Sequence, residues 1–451
     1  MQLNLHSYQQ DALRHILSNP YAGLFLPPGL GKTAITLKAI NIIKQYEHIN
    51  NAKFLIIAPM RVCQSVWPAE IKKWNEFRPL NYTILHGPNK DILLQSSNHS
   101  DILLINPEGL KWLFSSYPHL FTNPKQHWML ICDESTLFKN HDSMRFKLLK
   151  KALHCFKRRL IMTGTPVPNG LLQLWPQMFI VDKGQRLGAY VTHYRNKYFE
   201  PIPFNPWGYS LKPNSEQKIY AAISDIVMHK SNDELDLPPI VYNNMLIQLP
   251  SLAIKLYKEL KKQYISQYNE QTITASTAAT LGMKLKQIAN GFAYTDNQPV
   301  TCHNAKIDVT QILAESLQGR PLLILYEFIQ DLQMLRDAFP NAPYIGGGST
   351  DLRTIINEWN AGNIPILFMH PRAGGHGLNL QDGGCHDVLW YSLPFDLELY
   401  MQSNARVHRQ GVKNSVTIHH LIAEGTIDSH VINVLCKKDT LQASLLNALL
   451  R

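Results

Sequence analysis

Short continuous apolar runs alternate with stretches of helical spacing over the first 185 residues. The runs are GLFL (23–26), FLIIA (54–58), ILLIN (102–106), WMLICD (128–133) and RLIMTG (159–164). Runs with no polar alternation suit strands buried on both faces, as in a parallel sheet covered by helices. Ala34, Leu37, Ile40 and Ile43 fall near helical spacing and predict a helix over 34–44. A second block of the same kind begins near 305, with PLLILY (321–326), PILFMH (365–370), DVLWYS (387–392) and SVTIHHLI (415–422). Between the blocks the pattern breaks. Aromatic and basic residues followed by Pro201, Pro203, Pro206 and Pro213 read as irregular chain over 185–215, and LDLPPI (235–240) is a second break. Amphipathic helices are predicted over 252–268 and 282–292. The fold class expected is α/β: a lobe over 1–185, a connector with helical segments over 186–304, and a second lobe over 305–451.

Composition narrows the function classes. Hydrophobic residues are 45% of the 451 and charged residues 17%, as in a globular chain. No apolar run reaches the roughly 18 residues of a membrane span, and MQLNLHSYQQ lacks the basic and apolar regions of a secretory signal. The six cysteines contain no C-x-x-C pair, so free thiols in a reducing cytoplasm are expected, and Cys302 beside His303 reads as a loop coincidence. The net charge of +10 suits a polyanion such as nucleic acid, although solubility alone would account for it.

Three places carry candidate chemistry. PPGLGKT (27–33) follows an apolar run and opens a helix, the setting in which backbone N–H groups and a helix N-terminus cradle phosphates. Pro28, Gly29, Leu30, Gly31, Lys32 and Thr33 are the expected ATP contacts. Lys32 would reach the β- and γ-phosphates and Thr33 would hold Mg²⁺. Leu26 stands where the strict pattern has glycine. WMLICDEST (128–136) ends a strand in two carboxylates: Asp133 would hold Mg²⁺ and Glu134 would polarise the attacking water. A solvated strand end is the plainer reading of such a pair, but the loop requires an acidic partner. In QSNARVHRQG (402–411), Gln402, Arg406 and Arg409 are expected on one helix face, with the arginines stabilising charge on a transferring phosphoryl group.

Taken in order, these stretches resemble the motifs of superfamily-two helicase-like ATPases of the Swi/Snf branch. LHSYQQDAL (5–13) resembles the opening motif, FLIIAPMRVCQSVWPAEIKKW (54–74) motif Ia, and ILLINPEGL (102–110) motif Ib. PPGLGKT is similar to motif I and DESTLFKN (133–140) to motif II. LIMTGTPVPNGLLQLW (160–175) resembles motif III, and PLLILYEF, AGGHGLNLQ and QSNARVHRQGV resemble motifs IV, V and VI. Motif II departs from the usual DEAH or DEGH, and motif VI ends R-Q-G-V instead of R-I-G-Q.

The resemblance implies two RecA-like lobes with ATP and Mg²⁺ between them. It gives Gln9 an adenine contact, adds Gly377 to the ATP site, and makes Arg406 and Arg409 arginine fingers. Thr163, Gly164, Thr165 and Gln402 would couple nucleotide state to the nucleic-acid path. Arg61, Lys139, Arg372 and Asn379 are the candidates for touching DNA. The partner implied is duplex DNA read without sequence preference, with no membrane association. The absence of long insertions argues against a histone-reading module, and the compact form looks most like members carried by bacteriophages, which implies bacterial host cytoplasm. The leading expectation is a DNA-dependent ATPase that translocates on duplex DNA. A strand-separating or branch-migrating helicase on DNA or RNA, and an ATP-gated binding module with little turnover, stay open.

Overall fold

The computed structural model describes residues 1–46, 52–123, 126–203, 208–230, 237–263, 265–268, 271–274, 278–295, 298–349, 351–374, 378–409 and 411–448. It divides into two compact units, Met1–Leu235 with Lys438–Arg451, and Asp236–Lys437.

Among the described residues the first unit is built on a seven-stranded sheet. Six strands follow the apolar pattern or lie between its runs: β1 (Tyr21–Phe25), β2 (Ala52–Ile57), β3 (Tyr82–Ile84), β4 (Ile102–Ile105), β5 (His127–Asp133) and β6 (Phe156–Thr163). Their spatial order is β3-β4-β2-β5-β6-β1, with Val227–His229 beyond β1, and every pairing is parallel. Ile102–Ile105 is buried at all four positions, as a strand covered on both faces requires.

The second unit carries a six-stranded sheet among its described residues. The spatial order is Ile240–Ile247, Val416–Ala423, Asp387–Trp390, Leu322–Leu325, Ile366–Met369 and Tyr344–Ile345, again parallel throughout. Alternation along a strand sends neighbours to opposite faces. Leu323 and Leu325 therefore join one core cluster with Met369 and Trp390, while Leu322 and Ile324 join another with Phe368 and Leu389. Both faces are thus covered, and the α/β reading holds for both units.

The stretch 186–304 is divided between the units. Within 185–215 the chain is more regular than its prolines suggest: a helix at Val191–Tyr198 leads into an antiparallel ribbon of Phe199–Pro201 and Tyr209–Leu211. Tyr194, Tyr198 and Phe199 are buried in the first unit's core, which fixes this segment there. The helix expected over 252–268 runs from Ser251 to Gln263, and Ile265–Tyr268 pairs instead with Gln271–Thr274.

Candidate functional site

Parallel strands put their C-terminal ends on one edge, and here that edge gathers the first unit's motifs. β5, β6 and β1 are neighbours, with Asp133 in register with Met162 and Thr163 in register with Phe25. PPGLGKT leaves the end of β1 and leads into the helix Lys32–Tyr46. Gly29 (φ 90°) and Gly31 (φ 77°) take left-handed conformations that turn the loop back on itself. A Cβ on Gly31 would lie 2.6 Å from Gln9 Nε2. The loop is braced from two sides. Gln9 is buried; its Nε2 donates to Leu30 O at 3.2 Å and its Oε1 accepts from His6 N at 3.0 Å. On the other side Gly164 packs so closely that a Cβ would meet Pro28 Cδ at 2.9 Å and Leu26 O at 3.3 Å. Lys32 Nζ donates to the carbonyls of Leu26 (2.6 Å) and Pro27 (3.1 Å), which holds its charge over the loop. Thr33 is the second residue of the helix.

The acidic pair lies beside the loop. Asp133 is half-buried, and Trp67 Nε1 donates to its Oδ2 at 2.9 Å. Burial pushes its carboxyl above the ordinary range, while the ammonium of Lys32 and the Trp67 N–H pull it down. Glu134 sits at φ 71°, a left-handed conformation unusual for a non-glycine residue and of the kind that clusters at functional sites. Its Oε1 accepts from Thr136 Oγ1 at 3.0 Å and from Thr163 Oγ1. Thr163 Oγ1 also accepts from Thr165 N at 3.0 Å, so the third motif is tied to the second through one hydroxyl.

Sequence reasoning gave no role to three residues of this edge. Trp67 is fully buried against Asp133. Ser135 Oγ donates to Gln177 Oε1 at 2.6 Å, and Gln177 Nε2 donates to Pro166 O at 2.6 Å. Gln177, on the helix Leu174–Asp182, thereby joins the DEST turn to the chain after Thr165. A polar residue inside the apolar run LLQLWPQMFI was the available signal. Arg61 is exposed where β2 leads into the turn Val62–Val66, and Lys139 follows the turn Ser135–Phe138.

In the second unit the arginines meet the glycine-rich loop. Arg406 Nη1 donates to Leu378 O at 3.2 Å, and Arg409 Nη1 donates to Asn379 Oδ1. The expectation of a shared helix face is corrected. The helix is Leu397–Asn404, so Gln402 lies on it while Arg406 and Arg409 follow its end. Leu380 N takes the carbonyl of Arg406, which a continuing helix would offer to residue 410, and Asn404 Oδ1 accepts from Trp390 Nε1 at 2.9 Å. Gln402 is buried, and its Nε2 donates to Glu398 Oε1 at 3.3 Å. Arg372 is exposed just past Ile366–Met369. Gly377 lies outside the described residues.

The residues suit a nucleoside triphosphate with Mg²⁺. The loop offers left-handed glycines, a helix start and a lysine in one cradle. Among the described residues no group of three or more His, Cys, Asp or Glu could enclose a metal ion. One carboxylate and one hydroxyl match Mg²⁺, which keeps waters and takes phosphate oxygens. No helix of the described residues is long and apolar enough to cross a membrane.

Comparison with known proteins shows the family. Residues 8–292 match the SNF2-related domain, and residues 305–411 match the helicase conserved C-terminal domain. Protein p41 of Acyrthosiphon pisum secondary endosymbiont phage 1 is 32% identical over 98% of each chain. The ISWI chromatin-remodeling complex ATPase ISW1 of Saccharomyces cerevisiae is 24% identical over 95% of this chain, which spans only 39% of that relative's length. The Sulfolobus solfataricus SWI2/SNF2 ATPase core in complex with dsDNA is 21% identical, with a TM-score of 0.46 over 98% of this chain and 94% of that one. With the SNF2-related domain matched over more than half its length, the chain belongs to the Swi/Snf-type family of helicase-like ATPases and is an ATP-hydrolysing enzyme.

Proposed function

We propose that the protein is a motor that uses ATP hydrolysis to move along duplex DNA without separating its strands. The observation that carries this reading is that the loop after β1 brings Lys32 beside Asp133, Glu134 and Thr163 at the ends of the adjacent β5 and β6, with a hydrogen bond joining the last two. Lys32 draws the β- and γ-phosphates of ATP to the loop, and the amide of Gln9 meets the adenine edge. Thr33 and Asp133 would hold Mg²⁺, which would neutralise charge on the phosphates. Glu134 orients the attacking water and takes its proton. Arg406 and Arg409 supply positive charge to the γ-phosphoryl group as the bond to it breaks.

Movement needs an element that answers to nucleotide state. Thr163 serves because its hydroxyl binds Glu134 while its own strand leads into Gly164, which packs on the loop. A change at the γ-phosphate is felt at both places and passes along the chain after Thr165 to Gln177. Arg61, Lys139, Arg372 and Asn379 meet phosphates and not base edges, so binding ignores sequence and weakens with salt. The place of action is the cytoplasm of a bacterial host, a reading supported by a relative encoded by a phage.

ATP turnover of the full chain with and without duplex DNA tests the reading. The expected result is stimulation by duplex of any sequence, with displacement of a triplex-forming strand but no fork unwinding. Fork unwinding at matched turnover would make it a strand-separating helicase, and unstimulated trace turnover would make it a binding module.

A further inference from the structure

We infer that Trp67 is a positioning residue for Mg²⁺ binding, and that through it the exposed segment carrying Arg61 acts on the metal-binding carboxylate. The inference rests on the assignment of Asp133 to Mg²⁺ made above. The contact is specific. Trp67 Nε1 lies 2.9 Å from Asp133 Oδ2, across 66 residues of sequence, and the indole is fully buried. A donor fixed on Oδ2 sets the plane of the carboxylate and leaves Oδ1 to face a metal ion or its water. Partners that orient a ligand in this way tune metal affinity although they never touch the metal.

The backbone around Trp67 gives the bond a second meaning. Val62–Val66 is a π-helical turn, a rare form frequently found at functional sites. Arg61 is the residue that begins this turn, and its carbonyl accepts from Ser65 Oγ at 2.6 Å. The turn closes on Trp67 itself, whose N–H donates to Val62 O. Pro68 then lies in the first turn of the helix Trp67–Lys73. One wound turn thus links an exposed guanidinium to the indole that holds Asp133. A phosphate that draws on Arg61 pulls at this turn, and the Trp67 ring carries that pull to Asp133.

The test uses the full chain and a fluorescent ATP analogue, titrated in EDTA and at stepped Mg²⁺. Trp67→Phe keeps an aromatic core residue and removes the donor. Affinity in EDTA is expected within about 2-fold of wild type, while the Mg²⁺ midpoint rises about 10-fold, the lower bound for loss of such a partner. A merely structural role would lower both affinities together and would overturn the inference. If Trp67→Phe weakens EDTA binding through repacking, site-specific benzothienylalanine at position 67 decides, since it keeps the indole shape without the N–H. The same 10-fold rise supports the inference, and a wild-type midpoint there overturns it. Saturating duplex DNA is expected to move the wild-type Mg²⁺ midpoint and to leave that of Trp67→Phe in place; equal movement in both would break the link to Arg61. Wild type that binds the analogue with no Mg²⁺ dependence would instead remove the assignment of Asp133 on which the inference stands.

Discussion

The same parallel edge is used differently in the two units. In the first, functional side chains are held by other side chains brought from neighbouring strands and turns: Asp133 by Trp67, Glu134 by Thr136 and Thr163, the loop by Gln9 and Gly164. In the second, Arg406 Nη1 donates to the main-chain carbonyl of Leu378 and Arg409 Nη1 to the side-chain amide of Asn379, both in the glycine-rich loop. Neutral acceptors of that kind are weaker partners for a guanidinium than a phosphate oxygen. On the proposed function the carboxylates keep one geometry while the arginines engage the γ-phosphate. That difference is the one expected between a site that must hold its geometry through every cycle and a pair of groups that must engage and release.

The contrast can be broken or sharpened by substitution. The largest effects belong to the first unit. Glu134→Gln is expected to keep ATP affinity and to lower turnover about 10³-fold, because only the proton acceptor changes. Lys32→Ala should weaken binding and turnover together, as filter binding and steady-state assays would show. Normal turnover by Glu134→Gln would remove the water-orienting role. A smaller effect probes the second unit. His420 is buried between Tyr400 Oη at 2.9 Å and Asn244 Oδ1 at 2.8 Å, and burial beside His419 pulls its pKa down to about 4. The folded state then binds fewer protons than the unfolded state below the ordinary histidine range. Stability is present at neutral pH and is lost as pH falls from about 6.5 toward 4. At pH 5 this amounts to about 2 kcal/mol, so His420→Gln should lose less stability between pH 7 and 5 than wild type in urea unfolding. Equal pH slopes would contradict it. The smallest effect is Thr136→Val, which removes one of two hydroxyls on Glu134 Oε1 and should cut turnover by up to about 10-fold with ATP affinity unchanged.

Both sheets were legible because parallel strands buried on two faces leave unbroken apolar runs. The strands the pattern did not mark are short or lie at an edge: Tyr82–Ile84, Val227–His229, Tyr344–Ile345 and Ile240–Ile247. Ile240–Ile247 shows mostly exposed positions, so its sequence carries no buried run to read. The helix across Arg406 and Arg409 failed for another reason. Spacing cannot reveal that the carbonyl of Arg406 is taken by Leu380 from a neighbouring loop. The phosphate loop and the acidic pair were readable as local motifs. Trp67 and Gln177 were not, because their partners are distant in sequence and only the fold brings them together.

The central proposal is that Lys32 and its loop hold ATP while Arg409 is needed for hydrolysis and not for binding. Single-turnover hydrolysis of prebound ATP by Arg409→Ala tests this most directly. The account predicts ATP and DNA affinities within about 3-fold of wild type and hydrolysis slowed by about 10³-fold or more, the scale of an arginine finger. Hydrolysis at the wild-type rate, or an equal loss of DNA affinity, would contradict it.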